Sequence, residues 1–80
     1  MKYRKKPVVI EAVRFYPSMM ITDELPDGVE VDRDTGRAFI QTLEGELTVN
    51  PGDWVITGIK GEKYPCRPDI FIDTYEKVEP

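Results

Sequence analysis

Histidine is absent from this 80-residue sequence, cysteine occurs once, at Cys66, and serine once, at Ser18. Without histidine there is no side chain that ordinarily titrates near neutrality and no Cys/His zinc site, and a single cysteine cannot build a disulfide framework. Ser18 has no conventional partner for nucleophilic activation. No Walker A or Gly-x-Gly-x-x-Gly string occurs. Asp32 and Asp34 do not open an EF-hand loop, because the twelfth position counted from Asp32 is Leu43 rather than Glu. The acids cluster in turns (Asp32/Asp34, Glu44/Glu46), where turn formation and solubility account for them. The expectation is a protein that is not an enzyme and holds no metal or cofactor. No apolar run approaches the ~18 residues of a membrane span. Met1-Lys2-Tyr3-Arg4-Lys5-Lys6-Pro7 is not followed by a signal-peptide core, so a cytoplasmic location is expected.

What is present fits one small domain, residues 1–80. A chain of this length buries only about 60–65% of its unfolded surface, so the core is thin and a homo-oligomer is expected. Hydrophobic residues are 40% and charged residues 32%, the balance of a folded chain rather than a disordered one. The net charge of -4 is unevenly spread. Residues 1–16 set Lys2, Arg4, Lys5, Lys6 and Arg14 against Glu11. Residues 17–36 set Asp23, Glu24, Asp27, Glu30, Asp32 and Asp34 against Arg33. An acidic chain is a poor partner for duplex nucleic acid, which must have many phosphates neutralised. A small anion needs only two or three cations and a backbone pocket. The Arg4-Lys5-Lys6 cluster offers such cations, or else forms a solvated arm.

Short strands separated by turn signals dominate the chain. Pro7–Phe15 is rich in β-branched residues and apolar on both faces, which predicts a central strand or one lying under an oligomer contact. Pro17–Gly28 reads as a connector, one helical turn or a loop, with Met19 and Met20 as gap-filling core or lid residues. Val29–Val31 leads through the Asp32–Gly36 turn into Arg37–Leu43, and Glu44-Gly45 is expected to reverse the chain into Glu46–Val49. Asn50-Pro51-Gly52-Asp53 is a further turn, followed by a strand over Trp54–Ile59. Pro65 restricts Lys63–Arg67 to an edge or irregular strand. Pro68 and Asp69 predict the start of a short helix, with Phe71 and Tyr75 on one face, before a last strand over Tyr75–Val78. The fold class expected is all-β and mainly antiparallel: a small five- to six-stranded barrel or roll with at most one short helix near the C-terminus.

Binding chemistry concentrates at Thr57-Gly58-Ile59-Lys60-Gly61-Glu62-Lys63-Tyr64. Glycines permit close approach to the backbone, and exposed amides with a lysine can hold phosphate. Tyr64 or Trp54 can stack on a base for roughly 1–3 kcal/mol. The ligand-binding candidates are therefore Lys5, Lys6, Trp54, Thr57, Lys60, Tyr64 and Arg67. The competing reading has the glycines shaping a hairpin while Trp54 and Tyr64 fill the core. Cys66 reads as a small hydrophobe, although Arg67 beside it could lower the thiol pKa.

Lys5-Lys6-Pro7-Val8-Val9-Ile10-Glu11-Ala12 resembles the opening of a widespread family of small phage and prophage proteins. Thr42–Gly45 and Asn50–Ile56 are similar to its middle. The specific string Gly61-Glu62-Lys63-Tyr64-Pro65-Cys66-Arg67-Pro68-Asp69-Ile70-Phe71 resembles its C-terminal signature. Ile72 and Asp73 depart from the pattern, and residues 17–36 lie outside the resemblance. The resemblance implies a phage context, and with it counter-defence in the host cytoplasm. In size and style the chain is similar to the cyclic-dinucleotide sponges of the anti-CBASS kind, which are oligomeric and bind without turnover. Two alternatives stand beside this: a protein–protein module that inhibits a host enzyme through the acidic Asp23–Asp34 region, and a virion accessory protein.

Overall fold

The hairpin signals in the middle of the chain build the first of two sheets. The computed structural model describes residues 1–4 and 7–78. Within it β2 (Val29–Asp32), β3 (Arg37–Thr42) and β4 (Gly45–Val49) form an antiparallel meander in the order β2-β3-β4. Asp32 makes the first turn, its side chain accepting from Asp34 N at 2.9 Å and its carbonyl from Gly36 N at 2.7 Å. The second reversal falls one residue earlier than the sequence suggests. Thr42 pairs with Gly45, so the two-residue loop is Leu43-Glu44. The Thr42 hydroxyl fixes it by donating to Gly45 O at 2.8 Å and accepting from Glu44 N at 3.1 Å. Gly45, at φ 109, takes a conformation that side chains resist.

The second sheet has the order β1-β5-β6, all antiparallel, with β1 at Glu11–Arg14, β5 at Trp54–Thr57 and β6 at Lys63–Cys66. β6 lies at an edge, as Pro65 requires. β1 is also an edge, so of the two readings of its composition, a central strand or one lying under an oligomer contact, the central strand is not what forms. Only four residues of the apolar run Pro7–Phe15 pair, and Val9 and Val13 within that run are 74% and 50% exposed. An edge position leaves Glu11 in solvent, which removes the cost of burying it unpaired.

The sheets pack face to face around Phe15, Val29, Ala38, Ile40, Val49 and Val55. Met19, Met20 and Leu25 close one side, so both methionines fill core space. They sit on α1 (Ser18–Thr22), one helical turn that ends at Asp23 with φ 58. β6 lies against β3 and β4, yet no ladder joins the two sheets. The expectation of an all-β, antiparallel fold of five or six strands holds, as two open sheets rather than a closed barrel, and α1 adds a helical turn to the one C-terminal helix expected.

Strand alternation turns Ala12, Arg14, Trp54, Ile56, Tyr64 and Cys66 to the outer face of the second sheet. α2 (Pro68–Thr74) covers that face, opening with Pro68 and carrying Asp69 in its first turn. Ile56 is fully buried there. The chain beyond α2, residues 75–78, forms no strand, in contrast to the sequence expectation.

Candidate functional site

The outer face of the second sheet holds the only clustered aromatic chemistry among the described residues. Phe71 stacks on Trp54 with centroids 4.3 Å apart and planes at 10°. Tyr75 follows one helical turn later, 5.1 Å from Phe71. On the sheet side the Arg14 guanidinium lies 5.7 Å from the Trp54 ring and 5.5 Å from Tyr16. Arg14 Nε donates to Gly52 O at 3.0 Å, so backbone and rings share one cation.

Beside this ladder run two adjoining open cavities, of about 600 and 630 Å³. Val8, Ile10 and Tyr75 line both, so the two halves of this groove share a wall. The first part is completed by Pro7, Gly58, Ile59, Glu62, Tyr64 and Thr74, the second by Val9, Ala12, Trp54, Phe71, Val78 and the oppositely charged neighbours Glu76 and Lys77. Volumes of this size are those of small-molecule sites, and mostly apolar walls with a few polar groups are their usual lining.

The polar groups are specific. Tyr64 and Tyr75 share a hydroxyl–hydroxyl hydrogen bond of 3.4 Å. That bond, burial, and the negative groups nearby, Glu62 among them, raise the Tyr64 pKa to about 12. Of the four tyrosines, Tyr64 is therefore expected to ionise about two pH units above the ordinary value near 10. Its protonated form is favoured by folding, so this contribution to stability is complete below pH ~10 and lost as pH rises to about 12. Spectrophotometric titration checks this, and Tyr75→Phe should bring the late midpoint down. A Tyr64 midpoint near 10 in the unaltered protein would contradict the pairing.

Three of the four amides of the Gly58–Gly61 turn are already engaged. Gly58 N donates to Glu62 O at 2.8 Å and Gly61 N to Gly58 O at 3.0 Å. Lys60 N donates to the Glu62 carboxylate at 3.1 Å. That carboxylate lies over Gly58 so closely that an added methyl would overlap it. An internal anion thus fills the place where a phosphate was expected.

The structure brings Trp54 and Tyr64 onto one face, and Lys60 sits exposed at the turn beside it. Thr57 points to the other face, where its hydroxyl accepts from Lys63 Nζ at 2.6 Å. Lys63 also pairs with Asp27 at 3.4 Å. Arg67 is exposed at the start of α2 and paired with Asp69 at 2.9 Å. Lys5 and Lys6 lie outside the described residues. Cys66 is not activated by Arg67. Burial first, then Asp53 and Asp69, push its thiol pKa up. Sequence reasoning missed Val8, Ile10, Glu62, Phe71, Tyr75 and Lys77. The four-residue spacing of Phe71 and Tyr75 marked a shared helix face, but not the face it meets.

Among the described residues no group of His, Cys, Asp and Glu is arranged to hold a metal ion, and no helix is long and apolar enough to cross a membrane. Comparison with models of protein families, with curated proteins and with solved structures gives no match to this chain.

Proposed function

We propose that this chain is a phage-encoded, non-catalytic protein that sequesters a small anionic nucleotide of the cyclic dinucleotide class, acting as a homo-oligomer in the host cytoplasm. The observation that carries the reading is the pair of adjoining cavities, each large enough for a nucleoside unit, walled between them by Tyr64, Trp54, Phe71 and Tyr75. Bases enter the apolar floor, where ring contacts are worth roughly 1–3 kcal/mol each. Phosphates stay at the mouth, toward the exposed Lys60 and toward Lys77. This placement differs from a phosphate cradle in the Gly58–Gly61 turn, which Glu62 occupies. Trp54 is the single tryptophan, so its emission reports on the groove. Saturable change on adding a cyclic dinucleotide, at one ligand or fewer per chain, is the expected result. Unchanged emission with every member of a panel, together with no heat of binding, would contradict the proposal.

A second reading, a module that inhibits a host enzyme through its acidic surface, rests on one observation. Of the six acids from Asp23 to Asp34, only Asp27 has an ion-pair partner among the described residues. It predicts capture of one stoichiometric host protein, lost when Asp23, Glu24, Glu30 and Asp34 are neutralised.

A further inference from the structure

The first cavity carries a fixed carboxylate among apolar and phenolic walls, an arrangement suited to reading a base edge rather than holding a phosphate. We propose that Glu62 makes the groove selective for guanine-bearing cyclic dinucleotides, accepting the two adjacent N–H donors of the guanine Watson–Crick edge. The inference rests on the nucleotide reading above and names the ligand within that class.

Glu62 and Gly58 both line the cavity, and the carboxylate is held over Gly58 by the Lys60 amide at 3.1 Å. An ionised carboxylate accepts at about four lone-pair positions and donates at none. Lys60 N uses one, which leaves room for a pair of donors. The two phenols supply the opposite polarity. One hydroxyl proton is spent in the Tyr64–Tyr75 bond, and the other remains to be donated. The wall therefore presents acceptors from Glu62 and one donor from the tyrosines.

Guanine matches this set. Its edge offers O6 as acceptor, then N1–H and N2–H as donors to a carboxylate. Adenine offers N6–H as donor, but its N1 lone pair would face the negative oxygens of Glu62. Val8, Ile10 and Ile59 line the same cavity, and their apolar side chains offer that lone pair no donor in place of the carboxylate. A charge-assisted bidentate pair of this kind discriminates bases by about tenfold or more.

Cyclic di-guanosine monophosphate and cyclic di-adenosine monophosphate share a backbone and differ in the base edge, so they are the probes. Calorimetric titration of the full chain should show the guanine form bound at least about tenfold tighter. In Glu62→Gln the preference should collapse, through a loss for the guanine form and no loss for the adenine form. Glutamine keeps an acceptor for Lys60 N, so the turn persists. Gly58→Ala, which displaces the carboxylate without removing it, should also weaken the guanine form. Equal affinities in the unaltered protein, or a preference that survives Glu62→Gln, would overturn the guanine assignment while leaving nucleotide binding standing. Absence of binding by both probes would contradict the nucleotide reading and the assignment together.

Discussion

Trp54→Ala is expected to lower the stability of the domain by about 3–5 kcal/mol, the usual cost of deleting a large packed aromatic. Trp54 links the second sheet to α2 through its stack on Phe71. It also gives Arg14 a ring to lie against. Without it the guanidinium keeps only its bond to Gly52 O and the Tyr16 ring. Ile56, buried on the same face, would then border a cavity. An 80-residue domain has roughly 4–12 kcal/mol of total stability, so this loss is a quarter or more of it. Chemical denaturation followed by far-UV circular dichroism measures the effect. Trp54→Phe, which preserves a stacked ring, should cost much less. A denaturation midpoint for Trp54→Ala equal to the parent's would show that α2 is held by other contacts.

Tyr75→Ala is expected to weaken cyclic dinucleotide binding by about 10–100-fold, following the value of one base–aromatic contact. Tyr75 is the aromatic residue common to both cavities, and it follows the end of α2 rather than lying inside the core. Removing it therefore opens the groove while the two sheets persist. Tyr75→Phe separates ring from hydroxyl, keeping the tilted ring contact with Phe71 and losing the bond to Tyr64. Its loss of affinity should be small. Leu43→Ala, at the fully exposed tip of the β3–β4 hairpin, is the control and should change nothing. Binding unaffected by Tyr75→Ala would place the ligand elsewhere on the surface.

The parts of the fold that were legible in the sequence are those set by local chemistry. The Asp32–Gly36 turn follows from an aspartate that bonds its own backbone two residues on. Pro65 fixes an edge because it has no N–H to give, and Pro68 starts α2 because its φ suits a first turn. What depends on neighbours was not legible. The apolar run Pro7–Phe15 reads as a central strand or one lying under an oligomer contact, and β5 takes the centre because both β1 and β6 pair with it. Composition reports the wish of a segment to be covered, not what covers it.

The site shows the same division. Aromatic rings beside a glycine-rich turn were visible, and Trp54 and Tyr64 do share a face. Thr57 falls on the opposite face because its register partner is Lys63, a matter of loop length in the β5–β6 hairpin. The reading of the turn as a phosphate cradle counted its amides but not the carboxylate that folds back on them from Glu62. Arg67 looked like a free cation until Asp69, two residues on, met it at the start of α2. At Lys60 N and at Arg67 a nearby carboxylate answers the donor first. The mostly apolar groove is left as the place where a ligand adds contacts instead of displacing them.

The most direct measurement is calorimetric titration of the purified chain against a panel of cyclic di- and trinucleotides, with the oligomeric mass determined in the same buffer and the bound nucleotide recovered after denaturing the protein. Saturable binding of a cyclic dinucleotide, with the nucleotide recovered intact, is the result predicted for a protein that sequesters without turnover. No binding by any member of the panel, or recovery of a cleaved product, would contradict it.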